Sequence, residues 1–402
     1  MSDEAVDSRR IRRTAWFAWL VLTVVISVII HVGKERSVTG SYRLAVEHWF
    51  AGEPLYNMGG SGFIYLPQAA LVFAPWGLLP RPVGETLWRW TIIGVLAIGV
   101  SRLTRLVSRD ERWFLISTIS TVALSAGCAR NGQSTLIITG LMILAVADMS
   151  DQRWTRSATW LALAFAFKPV TIVLILLAAA LYRPMLWRLS LGLALVAVAP
   201  FLTQRPDYVV SQYVACYQNT QVAFSDGETG YWAQLFGMLK VFGLDLPSPV
   251  QQASRLVAAL ATLLACWKAS RQLTPARSAF YLYSLSACYL MLFNSRTEGS
   301  TYAMVGPVYG ILLAEAWLSL RHRITAILLA VAVMATALNF EIALLITPRP
   351  YEIWVCPLVC VAVTGYLLML LLRELRASST SNHRQGSEAE ATSVQDDASR
   401  RS

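Results

Sequence analysis

The sequence predicts an all-α protein that crosses a membrane many times. Of its 402 residues, 55% are hydrophobic and only 14% are charged, and the mean hydropathy is +0.50. Long apolar runs alternate with short polar turns, and no soluble domain is left over. Because helices satisfy their own backbone hydrogen bonds in lipid, we expect about ten to twelve membrane-inserted helices, some of them re-entrant or interfacial.

The first apolar run, 16–32, follows arginine pairs at 9–10 and 12–13. At about 1.5 Å per residue it approaches a full span. It ends in bulky residues rather than in the small residues of a cleavage site, so we expect a retained anchor with a cytoplasmic N-terminus. The other apolar runs lie near 88–100, 113–127, 136–148, 158–181, 186–202, 256–267, 280–293, 302–320, 324–346 and 354–372.

Arginine is concentrated in short turns between these runs, and such turns face the cytoplasm in membrane proteins. This bias accounts for the net charge of +10 without a nucleic-acid partner. The arginine-rich turns all fall on one side of the membrane only if two of the segments are not ordinary helices that cross the membrane once. Segment 63–80 is interrupted by three prolines, and segment 158–181 is broken by Lys168 followed by proline. Arg81 and Arg89 then become exceptions on the outer side.

Four polar segments emerge together on the extracytoplasmic face: 33–65, 129–134, 203–252 and 294–299. An enzyme with a lipid-linked substrate needs this arrangement, because the reactive head group lies at one membrane surface. A transporter or lipid flippase would place ionisable groups near the midplane and often has repeated halves. We predict one membrane domain, 1–376, in the plasma membrane, followed by a disordered cytoplasmic tail, 377–402.

Several side chains in the outer segments can carry chemistry. Glu35 and Glu47 can accept a proton from a sugar hydroxyl if desolvation raises their pKa, or they are solvated surface carboxylates. Lys168 is costly in lipid unless it has a partner or a water-filled cavity. Arg296 and Glu298 bind a phosphate and its sugar, or they pair with each other.

The 129–134 segment places Arg130 beside the amides of Asn131 and Gln133. This arrangement either binds a phosphate or a sugar, or is only a polar turn. The histidines and the 6 cysteines show no metal-ligand spacing. No phosphate-binding glycine loop occurs in the sequence. We therefore expect no metal and no cofactor.

The order of five short motifs resembles glycosyltransferase family 87 of the GT-C superfamily. The motifs are AGEPLY at 51–56, YLPQAA at 65–70, NGQ at 131–133, FKP at 167–169 and the segment 294–302. The resemblance implies a GT-C-like fold and a sugar donor carried on polyprenyl phosphate. It also implies direct attack by the acceptor hydroxyl with inversion, and an acidic base in the first outer loop. Arg130, Lys168 and Arg296 are the cations available to the departing phosphate.

The chain departs from the family pattern at the base. The aspartate that is usual in the family would align near Val38 and Thr39, and neither of these side chains ionises. Either a displaced carboxylate takes the role, with Glu35 first and Glu47 next, or catalysis is altered or lost. The predicted function is transfer of a hexose, expected to be mannose, to a lipid or glycan acceptor on the extracytoplasmic face. The alternatives are a transporter, a lipid flippase or an inactive GT-C protein.

Glu35→Gln is expected to abolish sugar transfer and leave the protein folded in detergent, since only the proton acceptor is removed. Transfer by the purified variant and its elution in size-exclusion chromatography are the measurements. Near-normal transfer would assign the base to another residue.

Overall fold

The computed structural model describes the chain except residues 1–2, 33–36, 57–61, 230, 350 and 401–402. At 3–5, 223–229 and 380–400 it describes the backbone alone. The described residues form helices and connecting turns, with no strand among them. The predicted all-α class is confirmed.

The α-helices of the described residues follow one another with short connections. They are α1 (Asp3–Val32), α2 (Thr39–Ala51), α3 (Gln68–Gly77), α4 (Arg81–Val107), α5 (Glu111–Asn131), α6 (Thr135–Ser150), α7 (Trp154–Phe167), α8 (Ile172–Leu181), α9 (Arg183–Val198), α10 (Pro206–Thr229), α11 (Leu235–Val241), α12 (Ser248–Gln272), α13 (Pro275–Phe293), α14 (Gly306–Ala314), α15 (Arg323–Ala337), α16 (Asn339–Ile346) and α17 (Val355–Arg400).

Helices of membrane-spanning length and apolarity recur along the described chain, so the protein is multi-pass. Every predicted apolar run coincides with one or more helices. Helices α15 and α16 together are apolar enough for a span but are bent by 81°. Shorter apolar helices occur at Thr135–Ser150 and Pro169–Leu181. Among the described residues, five helices are both long enough and apolar enough to span a membrane. They are Val6–Val32, Arg81–Val107, Glu111–Asn131, Arg183–Leu202 and Val355–Ser379.

The segment broken at Lys168 is a hairpin. Helix α7 ends at Phe167, Lys168 is extended, and α8 begins after a single 3₁₀ turn at Pro169–Thr171. The rings of Trp154 and Tyr182, at the two ends of the segment, are 5.5 Å apart. Both ends therefore lie at one face, and Lys168 lies at the opposite end of the hairpin. Helix α3, with 10 residues, is also too short to cross.

Charged clusters tie helix ends together at the face opposite Lys168. Asp148 is fully buried and lies 3.0 Å from Arg102 and 3.5 Å from Arg156. Arg277 lies 3.0 Å from Glu315 and also pairs with Glu374. We call this side the arginine face, and it is formed by the turns 108–110, 151–153, 273–274 and 320–322.

Helix α17 continues from the membrane span to Arg400. The segment predicted to be disordered, 377–402, is thus helical as far as Arg400, and it contains no proline that would end a helix. The division of the chain at residue 376 stays a prediction.

Helices α4 and α6 approach closely through small residues. A Cβ added to Gly140 would lie 2.6 Å from the carbonyl oxygen of Val95. A Cβ on Gly99 would lie 3.1 Å from the Gly140 Cα. Backbone cannot move aside as a flexible side chain can, so this contact requires glycine at 140.

Gly140→Ala is expected to destabilise the protein by about 1–3 kcal/mol, because the methyl group meets backbone of α4. The measurement is the unfolding midpoint in detergent. Gly94→Ala on α4 is the matched control, since its Cβ would have nothing within 4 Å. It should leave stability unchanged or raise it by up to about 1 kcal/mol. Equal changes of stability in the two variants would contradict the close contact between Gly140 and the backbone of α4.

Candidate functional site

The four predicted outer segments meet at the face opposite the arginine face. We call it the site face. Backbone and side-chain hydrogen bonds connect the segments directly, so they form one surface. These bonds join Val38 N to Asn131 O at 3.0 Å, Leu55 N to Gln212 Oε1 at 2.9 Å, Ala233 N to Thr297 O at 2.8 Å, and Gln133 Nε2 to Glu298 Oε2 at 2.7 Å.

The turn after α5 is held in a single conformation. Gly132 has a φ of +66°, which glycine adopts without strain. Its carbonyl accepts a hydrogen bond from Trp88 Nε1 at 2.7 Å, and a Cβ would lie 2.7 Å from Thr39 Cγ2. Glycine therefore fits where another residue would collide, and the turn presents Asn131 and Gln133 to the site face.

The break between α7 and α8 places a cation, Lys168, at the site face. Lys168 is half-buried, and its ammonium lies 5.8 Å from the centroid of the Tyr65 ring. Its charge interacts with those of Glu298 and Arg296. Burial disfavours the charged amine most strongly and the charge of Arg296 disfavours it further, whereas the carboxylate of Glu298 and the Tyr65 ring favour it. The break thus places an amine beside the polar loops instead of in lipid.

Tyr65 and Tyr42 supply neutral hydroxyls next to Lys168. The two hydroxyl oxygens are 3.1 Å apart, and one donates to the other. Burial raises the pKa of Tyr42 and raises that of Tyr65 well above its ordinary value. Both hydroxyls therefore stay protonated at physiological pH.

Glu298 joins the late loop to the turn after α5. Its Oε2 accepts from Gln133 Nε2 at 2.7 Å and from Ser300 Oγ at 3.4 Å. Ser300 Oγ also lies 3.0 Å from Gln133 Oε1. These contacts orient the carboxylate, and its exposed position leaves it accessible to a ligand.

Arg296 lies on the same late loop and is half-buried. Its guanidinium is 4.7 Å from the centroid of the Trp232 ring. Asn294 Nδ2 donates to the Arg296 carbonyl at 3.2 Å, which stabilises the loop. The guanidinium is close enough to Lys168 for their charges to interact.

A cavity of about 380 Å³ opens beside Glu298. Asn131, Glu298 and Ser300 line one side of it. Asn339 and Glu352, from the bend after α15 and the loop before α17, line it as well. The cavity thus has a mixed polar and apolar lining and is open at the site face, and Glu298, which acts electrostatically on Lys168, lines it.

Two predicted site residues do not join this group. Arg130 is exposed at the end of α5, and no hydrogen bond or ion pair connects its guanidinium to another described residue. Glu47 is exposed on α2, on the side away from the buried Tyr42 and Trp49. Glu35 lies outside the described residues. Asn131, Gln133, Lys168, Arg296 and Glu298 are brought together, and the roles of all these residues stay predictions.

A buried ion pair beneath the turn was not predicted. Arg89 and Glu85 are 1% and 6% exposed and pair with each other on α4. Arg89 Nη2 donates to the Arg130 carbonyl at 3.2 Å, and Thr39 Oγ1 donates to Glu85. The spacing of four residues is the sequence signal that identifies such a pair. Opposite charges in contact explain how an arginine can be buried beneath the site face.

No group of histidine, cysteine, aspartate and glutamate residues in the described part of the chain could hold a metal ion. The functional groups of the site are a lysine, an arginine, amides, hydroxyls and carboxylates. These groups bind phosphates and sugars.

The fold and the site describe a multi-pass membrane protein with a charged, polar cavity at one face. The model of glycosyltransferase family 87 matches residues 63–295, more than half of the chain. The chain belongs to this family, as its sequence motifs indicated, and it is a membrane glycosyltransferase.

Two further comparisons add little about the site. ArnT from Cupriavidus metallidurans, in a crystal structure bound to undecaprenyl phosphate, is 17% identical, with a TM-score of 0.42. The match covers 89% of this chain and 77% of that one. At this level the similarity carries no argument about the site. None of the curated proteins matches the chain in sequence.

Gln133→Glu is expected to lower glycosyl transfer by about tenfold or more, because a second carboxylate would repel Glu298 where an amide now donates to it. Transfer is measured in vesicles that contain native lipid extract. Gln252→Glu, on exposed helix α12 and bonded only to Ser248, is the control and should transfer normally. Unchanged transfer by Gln133→Glu would show that the Glu298 contact is not used.

Proposed function

We propose that the protein transfers a hexose, with mannose as the expected sugar, from a polyprenyl-phosphate carrier to a lipid or glycan acceptor. The observation that carries this proposal is the placement of Lys168. It stands at the break of an apolar hairpin and interacts electrostatically with Arg296 and with Glu298, whose carboxylate lines the cavity. A lipid-linked phosphate needs apolar surroundings for its chain and cations for its head group.

The chemistry assigns different tasks to the charged groups. When the acceptor oxygen attacks the anomeric carbon, the bond between that carbon and the phosphate oxygen breaks. Negative charge grows on the departing phosphate, and Lys168 and Arg296 stabilise it there. The chain's own residues supply these cations, so the proposal includes no metal and no cofactor.

The acceptor hydroxyl must lose its proton to a base as it attacks from the opposite side, with inversion. A carboxylate suits this role. Glu35 and Glu47 remain the sequence-based candidates. Of the two, the sequence favours Glu35, which is closer to the end of the first helix.

The proposed orientation has the site face outside the plasma membrane and both termini in the cytoplasm. The arginine-rich turns lie together at the opposite face. Glu374, at the end of the last span, pairs with Arg277 there. Asp7, near the start of α1, acts electrostatically on Arg112 at the same face. The positive-inside rule then makes the arginine face cytoplasmic.

Lys168→Met is expected to lower transfer from polyprenyl-phosphate mannose by about a hundredfold or more, since it removes a charge that stabilises the leaving phosphate. Lys168→Arg should retain part of the activity. The assay follows radiolabelled donor in nanodiscs.

Lys268→Met is the matched control, because Lys268 is an exposed lysine at the arginine-face end of α12. It should leave transfer unchanged. Undiminished transfer by Lys168→Met would refute the assigned phosphate site, and failure of the wild-type protein to consume any polyprenyl-phosphate sugar would refute the proposed donor.

A further inference from the structure

The structure assigns the cavity beside Glu298 as the acceptor site, and we propose that it takes a neutral, hydroxyl-rich acceptor, such as the end of a glycan or a polyol. Glu352 and Asn339 are the residues that recognise it. This inference rests on the proposed function and specifies its second substrate.

The cavity has the size and position for a second substrate. Its volume of about 380 Å³ lies within the range of small-molecule sites, about 300–1,000 Å³. Glu298 lines it and also acts electrostatically on Lys168, which lies outside it. A molecule in the cavity would therefore lie next to a sugar whose phosphate is bound by Lys168 and Arg296.

The lining of the cavity suits hydroxyl groups and opposes anions. Glu298 and Glu352 offer carboxylate oxygens, and Asn131, Asn339 and Ser300 offer amide and hydroxyl groups. Carboxylates accept hydrogen bonds from sugar hydroxyls, whereas a phosphate in the same place would meet two like charges. The lining therefore favours a neutral acceptor over a phosphorylated one.

Glu352 has an unused hydrogen-bonding capacity. Its Oε2 is buried and has no hydrogen-bond partner among the described residues. A buried carboxylate oxygen without a partner is costly, and a rotation of the Glu352 side chain that brings this oxygen into the cavity would let a hydroxyl of a bound acceptor remove that cost. The free acceptor position thus points to a donor group on the ligand.

Asn339 reaches the cavity because α15 and α16 are bent by 81° at this residue. Its Nδ2 donates to the Thr336 carbonyl at 2.8 Å, which orients the amide. A Cβ added to Gly299 would lie 2.9 Å from Asn339 Oδ1. The glycine therefore lets the amide oxygen approach the loop that carries Glu298.

The two sides of the site differ in charge. Lys168 and Arg296 attract the phosphate of the donor, and Glu298 and Glu352 surround the acceptor. This difference keeps the donor phosphate out of the acceptor cavity and brings the acceptor hydroxyl next to carboxylates. Acceptor recognition should consequently depend on Glu352 independently of donor recognition.

The test uses the full-length protein in nanodiscs with radiolabelled polyprenyl-phosphate mannose. The acceptor probes are methyl mannoside and its 6-phosphate. The wild type should prefer the neutral probe. Glu352→Gln should raise the KM for methyl mannoside by about tenfold without changing the donor KM, and Glu352→Lys should shift the preference toward the 6-phosphate. An altered donor KM with an unaltered acceptor KM would overturn the assignment.

Glu341→Gln is the matched control, because Glu341 is exposed on α16 and does not line the cavity. It should behave as wild type in both KM values. An effect as large as that of Glu352→Gln would show a general response to lost charge and overturn the assignment.

A second measurement does not require turnover. All 6 cysteines are buried, so a thiol reagent should label Ala337→Cys selectively, and Ala337 lines the cavity without an assigned role in recognition. Methyl mannoside should slow labelling at least severalfold, and its 6-phosphate should not. Equal protection by both probes, or by neither, overturns the inference. Protection without any transfer contradicts the proposed function and leaves the assignment of a neutral ligand supported.

Discussion

A lysine in an apolar segment has to be kept away from lipid, and the rest of the site depends on how this chain does so. Lys168 interrupts the hairpin of α7 and α8, and the break brings its ammonium to Tyr65 and the polar loops. An unbroken helix through this position would leave a charge facing hydrocarbon, at a cost of several kcal/mol. The same break brings the cation within the electrostatic range of Glu298 and Arg296.

The loops that surround Lys168 need a rigid support, and the pair formed by Arg89 and Glu85 supplies it. The pair contacts the Arg130 carbonyl and Thr39, so it binds the turn after α5 to the start of α2. A buried ion pair costs more than it returns unless further hydrogen bonds satisfy both groups. Here Glu85 accepts one from Thr39 at the start of α2, and Arg89 donates to Ser37 and to the Arg130 carbonyl, while Arg89 Nε has no partner among the described residues. The support and the site are therefore one connected network.

This network also shows what occupies the position of the aspartate that the family resemblance leads one to expect. At the position where the family resemblance places a carboxylate, Thr39 is 1% exposed and donates to the carboxylate of Glu85. The space is filled by the ion pair, and Glu85 already accepts from both Arg89 and Thr39. A proton acceptor for the transfer has to come from elsewhere on the site face. Glu298 and Glu352 show that carboxylates are available around the cavity, where acceptor hydroxyls would lie.

The sequence by itself determined the helical membrane class, the break at Lys168 and the separation of arginine-rich turns from four polar segments. These follow from local composition, because hydrocarbon excludes charge and unpaired backbone wherever they occur along the chain. Only the tertiary structure decided which polar residues meet. The burial of Arg89 beneath the turn after α5, and the meeting of Glu298, Asn339 and Glu352 at one cavity, depend on contacts between segments distant in sequence. Such contacts are set by side-chain packing, and composition and spacing along the chain carry no record of them.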